Sequence, residues 1–234
     1  MYDILKTIVH PVIIESSDSN YPYWGMGTAF IAQWGQYIFL ISAKHIWKNQ
    51  GITTENFRVI LRESQKTLIF DREAIFKDAH SPEGDLVILR IHPETYETLS
   101  RLGIHWMDLN IEIKNTNPAS EVHLVAGYPA NLRDYDYENQ RIIATLIVLV
   151  GEKTPPQING LETLTIGRQA ERECNDYNGY SGSPVIRYAN DEMEFSGMVV
   201  MGTETSKLLH FIPAEQIIHY LHKLENMEAT NKFL

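Results

Sequence analysis

Short runs of β-branched and aromatic residues, each bounded by turn-forming residues, recur along the whole chain. Residues 28–32 and 37–42 flank Gly35-Gln36 and read as a hairpin. Residues 57–63, 67–76 and 86–91 read as further strands, and 122–126, 141–150 and 161–166 continue the pattern. Later come 185–188, a turn at Asn190-Asp191, then 195–201 and 208–212. Such spacing predicts an antiparallel sandwich or barrel. The polar stretch 110–120, with Pro118, suits a linker, and the acidic-aromatic stretch 134–138 reads as an exposed loop. The period changes only at the end. Pro213 is tolerated at a helix start, and Ile217, Ile218, Leu221 and Leu224 then fall on one helical stripe.

At 234 residues the chain makes one large domain or two small ones. Its 44% hydrophobic content supports a well-filled core, and the four tryptophans, Trp24, Trp34, Trp47 and Trp106, are expected in core or inter-barrel packing. The net charge of −10 argues against nucleic acid or an anionic membrane as a partner. The single cysteine, Cys174, excludes an internal disulfide and favours a reducing compartment; it reads as a buried small hydrophobe. The first residues lack the basic start and apolar stretch of a signal peptide, and no run reaches the length of a membrane span. A cytoplasmic location is expected. The histidines outside the motifs below lack metal-ligand spacing backed by cysteine or paired carboxylates, and His219-x-x-His222 suits a solvated helix face. No metal and no cofactor is expected.

Three segments change this picture. They are Ser42-Ala43-Lys44-His45, Gly84-Asp85-Leu86-Val87-Ile88-Leu89 and Gly179-Tyr180-Ser181-Gly182-Ser183-Pro184, each beside a strand-like run. A serine hydroxyl is a poor nucleophile at neutral pH and needs a base within hydrogen-bond reach, a task suited to histidine. The imidazole needs a fixed tautomer, which a carboxylate on its other nitrogen supplies. A developing oxyanion needs preorganised N–H donors, best provided where glycine lets the chain turn tightly. Ser181 is therefore assigned as nucleophile, His45 as general acid/base and Asp85 as orienter, with the N–H groups of Gly179 and Ser181 as oxyanion hole. The elbow of α/β-hydrolases, Gly-x-Ser-x-Gly, is a competing reading of Gly179-x-Ser181. Here Ser183 stands at the second glycine and a strand-like run follows where a helix is required.

In the order His, Asp, Ser these segments resemble the trypsin-like serine endopeptidases of the chymotrypsin fold. Ser-Gly-Ser-Pro at the nucleophile, the absence of disulfides and Gly127-Tyr128-Pro129 match the bacterial-type branch. The resemblance runs from about Gly25 to Phe211. It implies an all-β protein: two antiparallel six-stranded Greek-key barrels packed together with a C-terminal helix. The N-terminal barrel (1–113) would carry His45 and Asp85, and the C-terminal barrel (114–234) Ser181 and the helix. It implies hydrolysis of protein or peptide substrates through an acyl-enzyme. It also places the specificity pocket at Asn175, Val200, Met201 and Gly202, with Gly202 pairing with substrate backbone. Asn175 at the pocket floor, where relatives that cleave after Lys or Arg have aspartate, points to a neutral or apolar residue before the scissile bond; a loop shifted by one would put Asp176 there instead and restore cleavage after Lys or Arg. Tyr180 replaces the aspartate that captures a new N-terminus in animal-type zymogens, so no proteolytic activation is expected. Val200 replaces a serine that supports the acid in many members. An active protease without an export signal needs restraint, which points to a regulatory protein partner. The rival reading is a catalytically silent peptide-binding module on the same fold.

Overall fold

The computed structural model describes residues 2–16, 18–48, 56–59, 68–75, 84–110, 121–139, 141–167, 177–189 and 192–231. A short helix α1 (Tyr2–Ile8) leads into strand β1 (Val9–Glu15). Then follow β2 (Tyr23–Trp34), β3 (Tyr37–Ala43), a single turn of helix α2 (His45–Lys48), β4 (Phe57–Val59), β5 (Phe70–Ile75) and β6 (Leu86–Ile91). Helix α3 (Tyr96–Arg101) and the two-residue β7 (Met107–Asp108) complete the first half. Its sheet has the order β4-β1-β2-β3-β6-β5, with β7 added in parallel to β2. The Gly35 hairpin forms as expected: Trp34 pairs with Tyr37, and Gly35 has φ 57°.

The second half contains β8 (Val122–Gly127), β9 (Arg133–Asp136), β10 (Arg141–Ala144), β11 (Ile147–Thr154), β12 (Glu162–Ile166), β13 (Pro184–Ala189), β14 (Glu192–Thr203) and β15 (Leu208–Pro213). Six of these close a barrel in the order β11-β12-β15-β14-β13-β8. Alternation fills it: Val125, Leu149, Leu164, Val185, Val199, Leu209 and Phe211 point inward. Met198, Val200 and Ile212, on the opposite face of β14 and β15, join the core shared with the first sheet. These strands are thus buried on both faces. Helix α4 (Ala214–Asn231) follows Pro213 directly and buries Ala214, Ile217 and Leu221. Burying each of its two large aliphatic side chains stabilises the packing by about 1.5–3 kcal/mol. His222, on the same helix, sets its ring edge-on against Trp34 with centroids 4.7 Å apart. The helix therefore touches both halves.

Three expectations are corrected. Residues 134–138 do not form an exposed loop: Arg133–Asp136 pair with Arg141–Ala144 in a two-stranded hairpin outside the barrel. Residues 141–150 do not form one strand, because the chain leaves this hairpin after Ala144 and enters the barrel at Ile147. The N-terminal residues, given no element, form a helix and an inner strand. β1 is buried almost throughout, so it shows no alternation, and Pro11 disguises it further. The 111–120 linker, the boundary at 113/114, the turn at Asn190-Asp191, Cys174 and the side chain of Trp47 lie outside what the structure describes. Among the described residues no helix is long and apolar enough to cross a membrane.

Candidate active site

Strand register brings His45 to Asp85. Ala43, at the end of β3, pairs with Leu86, at the start of β6, so the residues just beyond each end meet. The Asp85 carboxylate holds His45 twice. Oδ1 accepts the His45 backbone N–H at 2.7 Å, and Oδ2 lies 2.5 Å from Nδ1. An ionised carboxylate only accepts, so Nδ1 carries the proton and Nε2 is left as a base. Neither side chain is fully buried, at 40% and 23% exposure, so the pair opens onto the cleft.

Ser181 comes from the other half, on a loop between Tyr177 and β13. Gly179 and Gly182 flank it with φ 95° and 86°, in the left-handed region that favours glycine. Space requires them as well. A Cβ on Gly182 would lie 1.9 Å from the carbonyl oxygen of Thr28, and one on Gly179 would lie 2.4 Å from that of Tyr128. The loop is tied to both halves. Thr28 on β2 donates its N–H to the Ser181 carbonyl at 2.9 Å and its hydroxyl to the Gly179 carbonyl at 2.7 Å. The same hydroxyl accepts the Tyr128 N–H at 3.0 Å, and the Thr28 carbonyl accepts the Ser42 hydroxyl at 2.7 Å. On the barrel side, Gly182 N–H donates to Val199 and Val199 N–H to Ser183. Among the described residues, neither the Gly179 nor the Ser181 N–H is donated to another group. Tyr180, between them, is fully buried in the barrel core, edge-on to Tyr177.

His45, Asp85, Ser181 and Gly179 line one cleft of about 680 Å³, together with Val200, Met201 and Gly202 of β14. The Ser181 hydroxyl donates to the Val200 carbonyl, at a long 3.5 Å, and makes no hydrogen bond to His45. Met201 is 46% exposed in the cleft, whereas Val200 is buried. Gly202 stands against the chain's own Tyr177 and Leu209: a Cβ there would lie 2.7 Å from the Tyr177 Cβ. Asn175 lies outside the described residues. Among the described residues no group of three His, Cys, Asp or Glu side chains could hold a metal ion. A smaller apolar cavity of about 230 Å³, between α1, β7 and β14, contains none of these residues.

Sequence reading missed Thr28, Arg133, Tyr177 and Glu204. Glu204 and Tyr177 line the cleft, and Thr28 and Arg133 bond to the backbone around the loop. The sequence signal for Thr28 was slight, a polar residue starting an apolar strand. Arg133 stands just before the segment 134–138 that reads as an exposed loop, and no local pattern marks it.

No protein-family model and no curated protein matches this sequence. Solved structures do match along nearly its whole length. A thermostable serine protease, AL20, from an extremophilic microorganism is 14% identical, with TM-score 0.56 over 90% of this chain and 92% of that one. Kallikrein-related peptidase 10, in complex with zinc, is 12% identical, with TM-score 0.59 over 95% and 96%. The protease Anisep from Arthrobacter nicotinovorans is 10% identical, with TM-score 0.55 over 88% and 90%. These likenesses establish the fold: the chain has the double-barrel architecture of the trypsin-like serine proteases.

Proposed function

We propose that the protein is a serine endopeptidase acting on protein or peptide substrates. The observation that carries the reading is the double grip of Asp85 on His45 across the cleft from Ser181. Asp85 fixes the tautomer that leaves His45 Nε2 as an acceptor. The step requires the Ser181 hydroxyl to turn from Val200 to that nitrogen, and such contacts tighten when substrate binds. Nε2 then takes the hydroxyl proton as the serine oxygen attacks the scissile carbonyl. The oxyanion that forms meets the undonated N–H groups of Gly179 and Ser181. His45 returns the proton to the leaving amine, and water, deprotonated by the same nitrogen, releases the acyl group. Residues before the scissile bond lie along Val200–Gly202. The exposed Met201 favours an apolar side chain there.

The long Ser181–Val200 contact favours a second reading, a silent peptide-binding module in which the serine never engages the histidine. A fluorophosphonate probe separates the two. An endopeptidase labels at Ser181, loses all labelling in Ser181→Ala and nearly all in His45→Ala. A parent protein that binds peptides yet neither labels nor cleaves them is the silent module.

A further inference from the structure

Behind the nucleophile loop lies a charge that the reaction scheme above does not use. Arg133 opens β9, and its Nη2 donates to two carbonyls at once, Tyr128 at 2.6 Å and Gly27 at 2.8 Å. Both acceptors belong to the backbone that walls the loop. The Tyr128 carbonyl is the atom that a side chain at Gly179 would strike, and Arg133 Nη2 itself would lie 3.1 Å from that Cβ. Gly27 is equally close on the other side: its Cβ would lie 3.0 Å from the Ser181 carbonyl oxygen. One nitrogen therefore links β2 of the first sheet to the turn after β8, across the segment that presents both candidate oxyanion donors.

The guanidinium is also electrically unusual. Arg133 forms no ion pair among the described residues; its Nε is buried without a hydrogen-bond partner, and the side chain that bonds its guanidinium, Tyr135, is uncharged. Asp134, next along the strand, is exposed. The Tyr135 hydroxyl lies alongside and accepts the Gly25 N–H at 2.7 Å. Burial works against the charge, and the Tyr135 and Tyr128 hydroxyls favour it; a guanidinium stays protonated throughout the working range of any hydrolase. Leaving a buried cation without a counter-ion is costly for folding alone.

We propose that Arg133 is a positioning residue for the oxyanion loop: it clamps the Tyr128 and Gly27 carbonyls behind Gly179, and its unneutralised charge favours the anion that forms in front. The inference rests on the endopeptidase reading. Among the described residues the charge has no negative partner until the reaction supplies one, so it acts on the transition state more than on bound substrate.

The test compares Arg133→Lys and Arg133→Met with the parent, per active site titrated, on one peptide substrate. Arg133→Met is expected to lower kcat by about 30- to 100-fold, less than the loss of a direct donor, with KM within about threefold. Arg133→Lys keeps the charge but not the rigid fork and is expected to recover about tenfold. Affinity for a peptide boronate should fall in parallel with kcat/KM, while affinity for a cleaved product peptide stays level. A role in folding alone would lower the melting temperature and leave kcat unchanged in the folded fraction, and that result overturns the inference. If Arg133→Met does not fold, the Lys and Gln variants carry the same comparison. A parent that neither hydrolyses nor labels overturns the endopeptidase reading and this inference together; unchanged kcat in an active background overturns this inference alone.

Discussion

His45 and Asp85 meet because two neighbouring strands of one sheet end together, and the two bonds between them complete the arrangement. Ser181 is held differently. Its loop takes bonds from Thr28 on β2 and from Val199 on β14, while Arg133 clamps the flanking backbone of Gly27 and Tyr128. One side of the cleft is thus a local product of register. The other is a product of long-range scaffolding from both halves. Damage should follow this division: chemistry alone fails on the first side, whereas chemistry and stability fail together on the second.

The sharpest break is Asp85→Asn. It keeps the shape but presents the wrong imidazole tautomer, and kcat should fall about 10⁴-fold with the urea midpoint nearly unchanged. A loss of stability matching the loss of rate would erase the contrast. Next comes Gly182→Ala on the loop side. With φ 86° and a Cβ 1.9 Å from the Thr28 carbonyl, it should cost on the order of 2–5 kcal/mol in stability. Its rate should fall about 10²- to 10³-fold as the oxyanion donors shift. Denaturation and turnover of the same preparation check both. Thr28→Val is smaller. It removes the hydroxyl shared by Gly179 and Tyr128 inside a fully buried site, and should cost about 1–3 kcal/mol and roughly tenfold in kcat. An active, fully stable Thr28→Val would show that the loop does not depend on the Thr28 hydroxyl.

The smallest effect is read in acid. His123, on the same strand face as the inward Val125, and His210, on the outer face of the second barrel, are buried, and burial lowers both pKa values. His123 keeps Nδ1 without a partner, though Glu121 opposes the shift from 3.4 Å; His210 contacts the Thr163 hydroxyl at 3.1 Å. Because the folded pKa is lowered, the unfolded chain takes up the proton first. Stability should be full above about pH 6.5 and fall below it, by at most about 1.4 kcal/mol per pH unit for each histidine. Urea midpoints at pH 7 and about 5.5 should diverge in the parent and converge in a His123→Gln, His210→Gln double variant. An equal slope in that variant would assign the acid sensitivity elsewhere.

The same division explains what could be read in the sequence. His45, Asp85 and Ser181 stand in short local patterns at strand ends; apolar spacing gives an antiparallel β protein with a terminal helix, and its division into two β halves follows from the resemblance. Thr28 and Arg133 could not be found that way, because their importance lies in partners far along the chain. Arg133 and Tyr135 occupy the inward positions of β9 where aliphatic residues would normally signal a strand, so nothing marks Arg133 and the residues from Asp134 read as loop. β1 was obscured by the reverse effect, burial so complete that no polar face remained to mark a strand.

The bond between the Thr28 hydroxyl and the Gly179 carbonyl spans 151 residues of chain, and that from the Tyr2 hydroxyl to the Leu146 carbonyl spans 144. Chains rich in such distant pairings fold in roughly milliseconds to seconds, because loop closure precedes any reward. Order of synthesis adds a constraint. When the first sheet has emerged from a ribosome, the His45–Asp85 pair can already form, but the groups that Thr28 and Gly27 help to hold have not been made. The cleft is therefore assembled last, and an unfinished chain carries the His45–Asp85 pair before Ser181 exists to face it.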